Sequence, residues 1–268
     1  MDLGDITKYL FIGIIILLIG IFMIPGIYTD LLWFNSLGFS NVIITILSTR
    51  LSLAILSAIT FFIILYLNWR ITKKILEDKG ENIQKTLEKI IPSILGIISL
   101  IAGIIFSSQW NTVLKFLNAN NFNILDPVFQ NDISFYIFHL PFYKSITGFL
   151  IAATILSLII SFTTYLTYTI PFGRRINVIG DIADTFLYNP KQKDKTRTHL
   201  YILAGCFFIL SALWTWMSRY NILFSKAGAV FGAAYTDINV TLPFATITAF
   251  ITAIVGILFL IQNQIKKP

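Results

Sequence analysis

The residues best suited to chemistry are one arginine within an apolar stretch and several aspartates in aromatic loops. Arg50 is the only charged side chain inside a long apolar segment, where a charge is costly unless it is paired or reaches water. We predict an ion pair between Arg50 and a loop aspartate; an ion or ligand path and a solvated arginine are the alternatives. The candidate outer-face cluster comprises Arg50, Asp30, Asp126, Asp132, Asp237 and Arg219.

Motifs that carry catalysis or bind cofactors are not found in the chain. Asp126 and Asp132 do not have the spacing of a calcium-binding EF-hand loop. The sequence contains no H-E-x-x-H, G-x-S-x-G, Walker or Cys-x2-Cys motif, and no pair of carboxylates within an apolar segment. We therefore predict no catalytic residue, no metal site and no cofactor, and an enzyme is poorly supported.

The elements that must position these residues are long apolar helices. Hydrophobic residues make up 56% of the chain and charged residues 12%, whereas soluble domains contain roughly a quarter charged residues. A helix needs about 20 apolar residues to cross a bilayer, and only helices satisfy their own backbone groups there. The predicted fold is an all-α polytopic membrane protein with six transmembrane helices and short interfacial helices. The predicted spans are 9–27, 43–67, 90–108, 146–170, 200–217 and 242–261.

The distribution of charge predicts the topology. Of the 20 Lys and Arg residues, 15 fall in the terminal segments and in the connections 70–89 and 174–197, and four fall in the other loops. This positive-inside bias places both termini in the cytoplasm of a multi-pass cell-membrane protein. Because the basic residues are sorted by loop rather than gathered in one patch, the net charge of +7 does not indicate a nucleic-acid partner.

Further predictions concern individual connections and side chains. We expect 70–89 and 189–199 to be solvated connections, and 176–188 to form a helix on the inner membrane surface. Asn131 or Asp132 is a suitable cap for an interfacial helix that ends at Pro141. Pro243 is predicted in the first turn of the sixth span. Cys206 is expected to pack as a small apolar residue within the fifth span.

The outer loops share a pattern of aromatic residues, glycine and aspartate that resembles a known family. Together they resemble uncharacterised protein family 182, a group of prokaryotic multi-pass membrane proteins of unassigned function. The matching residues are Leu32-Trp33-Phe34, Leu37-Gly38-Phe39, Asp126-Pro127-Val128-Phe129, Asp132, Ser134-Phe135-Tyr136, Leu140-Pro141-Phe142, Arg219-Tyr220, Val230-Phe231-Gly232-Ala233 and Tyr235-Thr236-Asp237.

The resemblance implies a protein longer than this chain, with a further span and a large extracytoplasmic region. Residues 1–268 are then a single transmembrane domain, the amino-terminal membrane part of such a protein. We expect an anchor or platform in the lipid bilayer whose outer loops dock an extracytoplasmic domain or partner. The alternatives are a transporter or channel subunit and, ranked last, a cell-envelope or lipid-modifying enzyme. The sequence does not indicate an oligomeric state, a solute or a substrate.

Overall fold

The structure is a computed structural model that describes residues 25–78, 85–169, 190–226 and 231–265. The described residues are almost entirely helical, with one isolated antiparallel bridge between Leu125 and Asp132. The longer helices are α1 (residues 25–36), α2 (Ser40–Glu77), α3 (Lys85–Ser107), α4 (Trp110–Leu117), α5 (Leu140–Thr169), α6 (Pro190–Ser218) and α7 (Leu242–Ile265).

The chain divides into two compact units, and the boundary between Ser52 and Leu53 falls inside α2. In the first unit, α1 ends in a turn at Gly38, whose φ of +76° favours glycine. The amide of Phe39 closes this turn by donating to the carbonyl of Phe34 at 2.9 Å. The backbone conformation thus explains the glycine in Leu37-Gly38-Phe39, one of the segments that carry the resemblance. The second unit contains the rest of α2 and the helices that follow.

Five of the six predicted spans coincide with helices that are long and apolar enough to cross a membrane. These are Ser40–Glu77, Ile90–Ser107, Phe135–Leu166, Lys195–Phe224 and Asp237–Gln262. The first predicted span, 9–27, and the inner surface helix, 176–188, lie outside the described residues, except for 25–27 in α1. The predictions made for both chain termini also fall there.

The prediction that 70–89 and 189–199 are solvated connections is wrong for the described parts of both. Helix α2 continues to Glu77 because Trp69, Thr72 and Leu76 are buried along one face. Helix α6 starts at Pro190, a residue suited to the first helical turn, and its His199 is buried. The charged residues that suggested loops therefore lie on helices that extend beyond the apolar stretches.

Two helices are entered through the same local structure, which the sequence prediction missed. Wide π-helical turns at Phe135–His139 and Asp237–Thr241 are each followed by Leu-Pro-Phe. In each, the leucine amide donates to the carbonyl five residues earlier. Pro141 therefore does not end an interfacial helix, whereas Pro243 lies in the first turn of α7, as predicted, directly after a π-helical turn. Both prolines are accommodated just after a local widening of a continuous helix.

The core of the second unit combines close backbone contacts with buried polar groups. A Cβ atom added at Gly103 of α3 would lie 2.5 Å from the carbonyl oxygen of Ala54 in α2. The amide of Asn68 in α2 donates to the hydroxyl of Ser161 in α5 at 2.9 Å, and Tyr165 bonds to Nδ1 of His199 at 2.9 Å. Small residues and polar pairs of this kind hold helices together in a bilayer, where the helix surfaces and the lipid are equally apolar.

Candidate functional site

The candidate site is the segment between α4 and α5, residues 118–139, which we name the collar segment. Its backbone folds back on itself: the amide of Asp126 donates to the carbonyl of Asn131, and the amide of Ile133 donates to that of Ile124, both at 2.9 Å. Gln130, at the tip of this turn, has a φ of +57°. The sequence therefore forms a tight hairpin-like turn immediately before the helix that leads into α5.

The side chain of Asp126 organises this turn. One carboxylate oxygen accepts the amides of Val128 at 2.9 Å and Phe129 at 2.7 Å. The other accepts the amide of Asn131 at 3.0 Å and the hydroxyl of Tyr136 at 2.5 Å. Burial would raise the pKa of this carboxyl, but the four hydrogen bonds outweigh burial and lower it. Asp126, only 6% exposed, is thus held ionised by its own loop.

Asp132 caps the helix that follows, as the sequence predicted. Its Oδ1 accepts the amide of Ser134 at 2.8 Å and also that of Phe122 at 3.2 Å. The hydroxyl and amide of Ser134 lower the pKa of Asp132 to about 2. The helix it caps is continuous with α5, so Asp132 fixes the collar segment to a candidate membrane span.

The ring of Tyr220 anchors the collar segment to the end of α6. Its centroid lies 4.7 Å from that of Phe129, 5.4 Å from Phe135 and 5.6 Å from Tyr136, all edge-on. Edge-to-face pairs of aromatic rings add stability beyond the area that they bury. The structure therefore brings together two of the segments that carried the family resemblance.

Arg219 lies next to this aromatic cluster and makes its own contacts. Its guanidinium stacks 3.3 Å above the ring centroid of Trp216. Its Nε donates to the carbonyl of Trp216, and Nη1 donates to the hydroxyl of Thr246 in α7, both at 3.1 Å. The described contacts of Arg219 thus connect α6 to α7 through a cation–π interaction and hydrogen bonds.

The remaining members of the candidate cluster are placed as follows. Asp237 begins the second π-helical turn and accepts the amide of Ala234 at 3.1 Å. Asp30 lies in α1 and Arg50 in α2, both with exposed side chains. The ion pair between Arg50 and an outer carboxylate stays a prediction. Within the described ranges, no group of three His, Cys, Asp or Glu residues is placed to hold a metal ion.

A model of the Uncharacterised protein family (UPF0182) matches residues 7–268 of the chain. The chain belongs to this family. The resemblance seen in the outer loops is confirmed. A UPF0182 protein from Methanospirillum hungatei is 34% identical over 92% of this chain, and one from Trichodesmium erythraeum is 34% identical over 98%.

The match covers only a part of these UPF0182 relatives. The chain spans 28% of the length of the Methanospirillum protein and 29% of the Trichodesmium protein. A UPF0182 protein from Clavibacter michiganensis is 29% identical over 94% of the chain, which again spans 26% of the relative. No solved structure matches the chain.

Sequence reasoning recognised the UPF0182 blocks but missed how they are joined and missed a second group of polar residues. The contact of Tyr220 with Phe129 links positions that no sequence pattern relates. Asn68, Ser157 and Ser161 form buried polar contacts at the opposite end of the spans. The signal available for the latter was a set of small polar residues inside apolar helices, where polar groups need partners.

Proposed function

We propose that this chain is a membrane anchor and platform, with cytoplasmic termini, whose collar segment docks an extracytoplasmic domain or partner protein. The observation that supports it is the hydrogen-bonded carboxylate of Asp126, which fixes a turn whose neighbouring apolar side chains are exposed. Ile124 and Leu125 are 58% and 59% exposed, while Asp126 beside them is 6% exposed. A rigid turn with outward apolar residues is suited to binding because little conformational entropy is lost on docking.

A second group of exposed side chains, those of Phe231 and Tyr235, supports the same proposal. The amide of Gly232 donates to the carbonyl of Ser225 at 2.9 Å, and the φ of Gly232 is +119°. Phe231 and Tyr235 on either side are 64% and 81% exposed. Large exposed aromatic residues are the kind of side chain that forms the centre of protein interfaces.

The length of the UPF0182 relatives suggests where to look for the docked partner. Since the chain spans less than a third of their length, the docked region belongs either to the same polypeptide or to a second protein. A cross-link within the same polypeptide leaves its mass unchanged, whereas a cross-link to a second protein adds the mass of that protein. The proposal holds for either one.

The test is photo-cross-linking in cells that express the complete natural protein. A benzophenone amino acid replaces Leu125 and, in a matched control, Ile104, which is 67% exposed in the last turn of α3. We expect position 125 to form a defined protein adduct, within the chain or to one partner, and position 104 to form lipid adducts. The protein adduct should decrease when Asp126→Asn is added. Lipid adducts alone from position 125 would overturn the docking proposal.

A further inference from the structure

A cleft lined by α2, α5 and α6 lies at the end of the spans that is opposite the collar segment. It has a volume of about 790 Å³, within the range of roughly 300–1,000 Å³ of small-molecule sites. Along α2 it runs from Ile64 to Asp78, which is about 21 Å at 1.5 Å per residue. Its walls are mostly apolar, so an occupant must be apolar along most of this length.

The two ends of the cleft differ in charge. Lys74, Asp78 and Lys195 lie at the end near the helix termini, while Cys206 lies deeper. Lys195 pairs with Asp78 at 2.6 Å. No ion pair is found between Lys74 and a carboxylate of the described residues. The mouth of the cleft therefore presents an excess of positive charge, which favours an anionic group.

Two buried polar atoms in the cleft have no hydrogen-bond partner among the described residues. The Nδ2 group of Asn68 donates to the backbone carbonyl of Ser157 at 3.1 Å and to the hydroxyl of Ser161 at 2.9 Å. Because a carbonyl can only accept, these bonds fix the orientation of the amide and direct its Oδ1 away. The Oδ1 of Asn68 and the hydroxyl of Ser157 are left unpaired, although these residues are only 5% and 1% exposed. A ligand group that donates to one and accepts from the other would satisfy both.

We propose that the cleft binds a single-chain lipid that carries an anionic headgroup and a hydroxyl group near it. From Asn68, the first part of the hydrocarbon chain lies against the apolar walls toward Cys206, over the roughly 6 Å of the cleft that remain along α2 to Ile64. The hydroxyl donates to Oδ1 of Asn68 and accepts from Ser157, and the anion lies near Lys74. Asn68 precedes Lys74 by six residues, about 9 Å along the helix, and the flexible lysine side chain covers most of that distance. The separation suits a monoacylglycerol phosphate.

The sharpest variant is Ser157→Ala. The hydroxyl of Ser157 makes no hydrogen bond to the described protein, so its removal breaks none of these contacts. The control is Thr60→Val, which removes an exposed hydroxyl of α2 that donates only to the carbonyl of Leu56 and lies outside the cleft. Lys74→Gln tests the charge at the mouth.

The measurement is a native mass-spectrometry titration of the full chain in non-ionic detergent with two probes. The first is palmitoyl-glycerol phosphate, and the second is hexadecyl phosphate, which lacks the hydroxyl. We expect one molecule bound and about tenfold weaker binding of the second probe, the size of effect that one or two hydrogen bonds give. Ser157→Ala should bring the two affinities closer together, Thr60→Val should not, and Lys74→Gln should weaken both.

Location is tested with Cys206, the single cysteine of the sequence, which is exposed and lines the cleft. Bound palmitoyl-glycerol phosphate should slow its reaction with N-ethylmaleimide several-fold. Equal affinities of the two probes in the unaltered chain would refute the role of the hydroxyl. Binding without protection of Cys206, or a thiol that is already unreactive without lipid, would show that another site or a protein segment explains the cleft. These results are independent of the collar cross-linking.

Discussion

Asp126→Asn is the substitution that tests the collar segment most directly. The amide oxygen of asparagine can still accept the two amides that bond to one carboxylate oxygen, those of Val128 and Phe129. The other oxygen becomes an amino group, which faces the amide of Asn131 and the hydroxyl of Tyr136. The tyrosine hydroxyl can rotate to accept, but the backbone N–H of Asn131 cannot, so one partly buried donor loses its partner.

The size of the effect follows from this inventory. An unpaired buried donor costs roughly 1–3 kcal/mol, and the other bonds lose the strength that a charged acceptor gives. We expect the free energy of local opening to fall by about 3 kcal/mol, which corresponds to about 150-fold faster amide exchange at 1.36 kcal/mol per factor of ten. Hydrogen exchange read by mass spectrometry over residues 120–140 measures it.

The control is Asp237→Asn, the same chemical change at a residue whose side chain accepts the amide of Ala234. The amide oxygen of asparagine can still accept that bond, and exchange in residues 120–140 should not change. Unchanged protection in Asp126→Asn would refute the view that this carboxylate organises the turn. A uniform loss of protection along all helices would instead indicate global unfolding.

The pH dependence of the same amides gives a second measurement. Since the pKa of Asp126 is lowered in the folded chain, its contribution to stability is present above the unfolded pKa of about 3.9 and is lost as pH falls through the folded pKa. Protection, corrected for intrinsic rates, should therefore decrease only below about pH 4. In Asp126→Asn this decrease should be smaller, with the part that remains due to Asp132, whose pKa is about 2.

Three further substitutions test other contacts. Gly103→Ala places a methyl group 2.5 Å from a backbone carbonyl of α2 and should lower the melting temperature in detergent, whereas Gly96→Ala meets no atom within 4 Å and should not. Arg219→Lys loses its planar stacking on Trp216 and should destabilise the chain by about 1 kcal/mol in a denaturant titration. Arg50→Leu should reduce the amount of folded protein if its predicted ion pair is structural; abundant, fully active protein would contradict both the ion-pair and the ion-path interpretations.

The sequence was sufficient to locate the five spans that the structure describes and insufficient to locate their ends. Apolar composition locates the interior of a span because twenty consecutive apolar residues leave few alternatives. It does not locate the ends, since Trp69 and His199 extend α2 and α6 by burial against other helices, beyond the apolar stretches. Charged residues around them were interpreted as loops, although one exposed helical face accommodates them.

For the collar segment too, some features could be predicted from the sequence and others could not. The capping role of Asp132 could be predicted because it depends on neighbouring residues alone. The end of the helix at Pro141 was predicted wrongly, because a π-helical turn accommodates a proline that would otherwise disrupt a helix. The repeated Leu-Pro-Phe at Leu140 and Leu242 was the available signal. The position of Tyr220 depends on how α5 and α6 pack, and no local pattern encodes it.

Hydrogen-bond satisfaction distinguishes the two polar regions of this chain. In the collar segment the buried carboxylate of Asp126 accepts four hydrogen bonds from its own loop, so both oxygens of this side chain are used in fixing the shape of the turn. In the cleft, Asn68 and Ser157 each have a polar atom with no partner among the described residues at nearly complete burial, which is costly unless a further group pairs with it. The first arrangement suits a surface that must stay rigid for docking. The second suits a site whose remaining hydrogen bonds are supplied by a ligand.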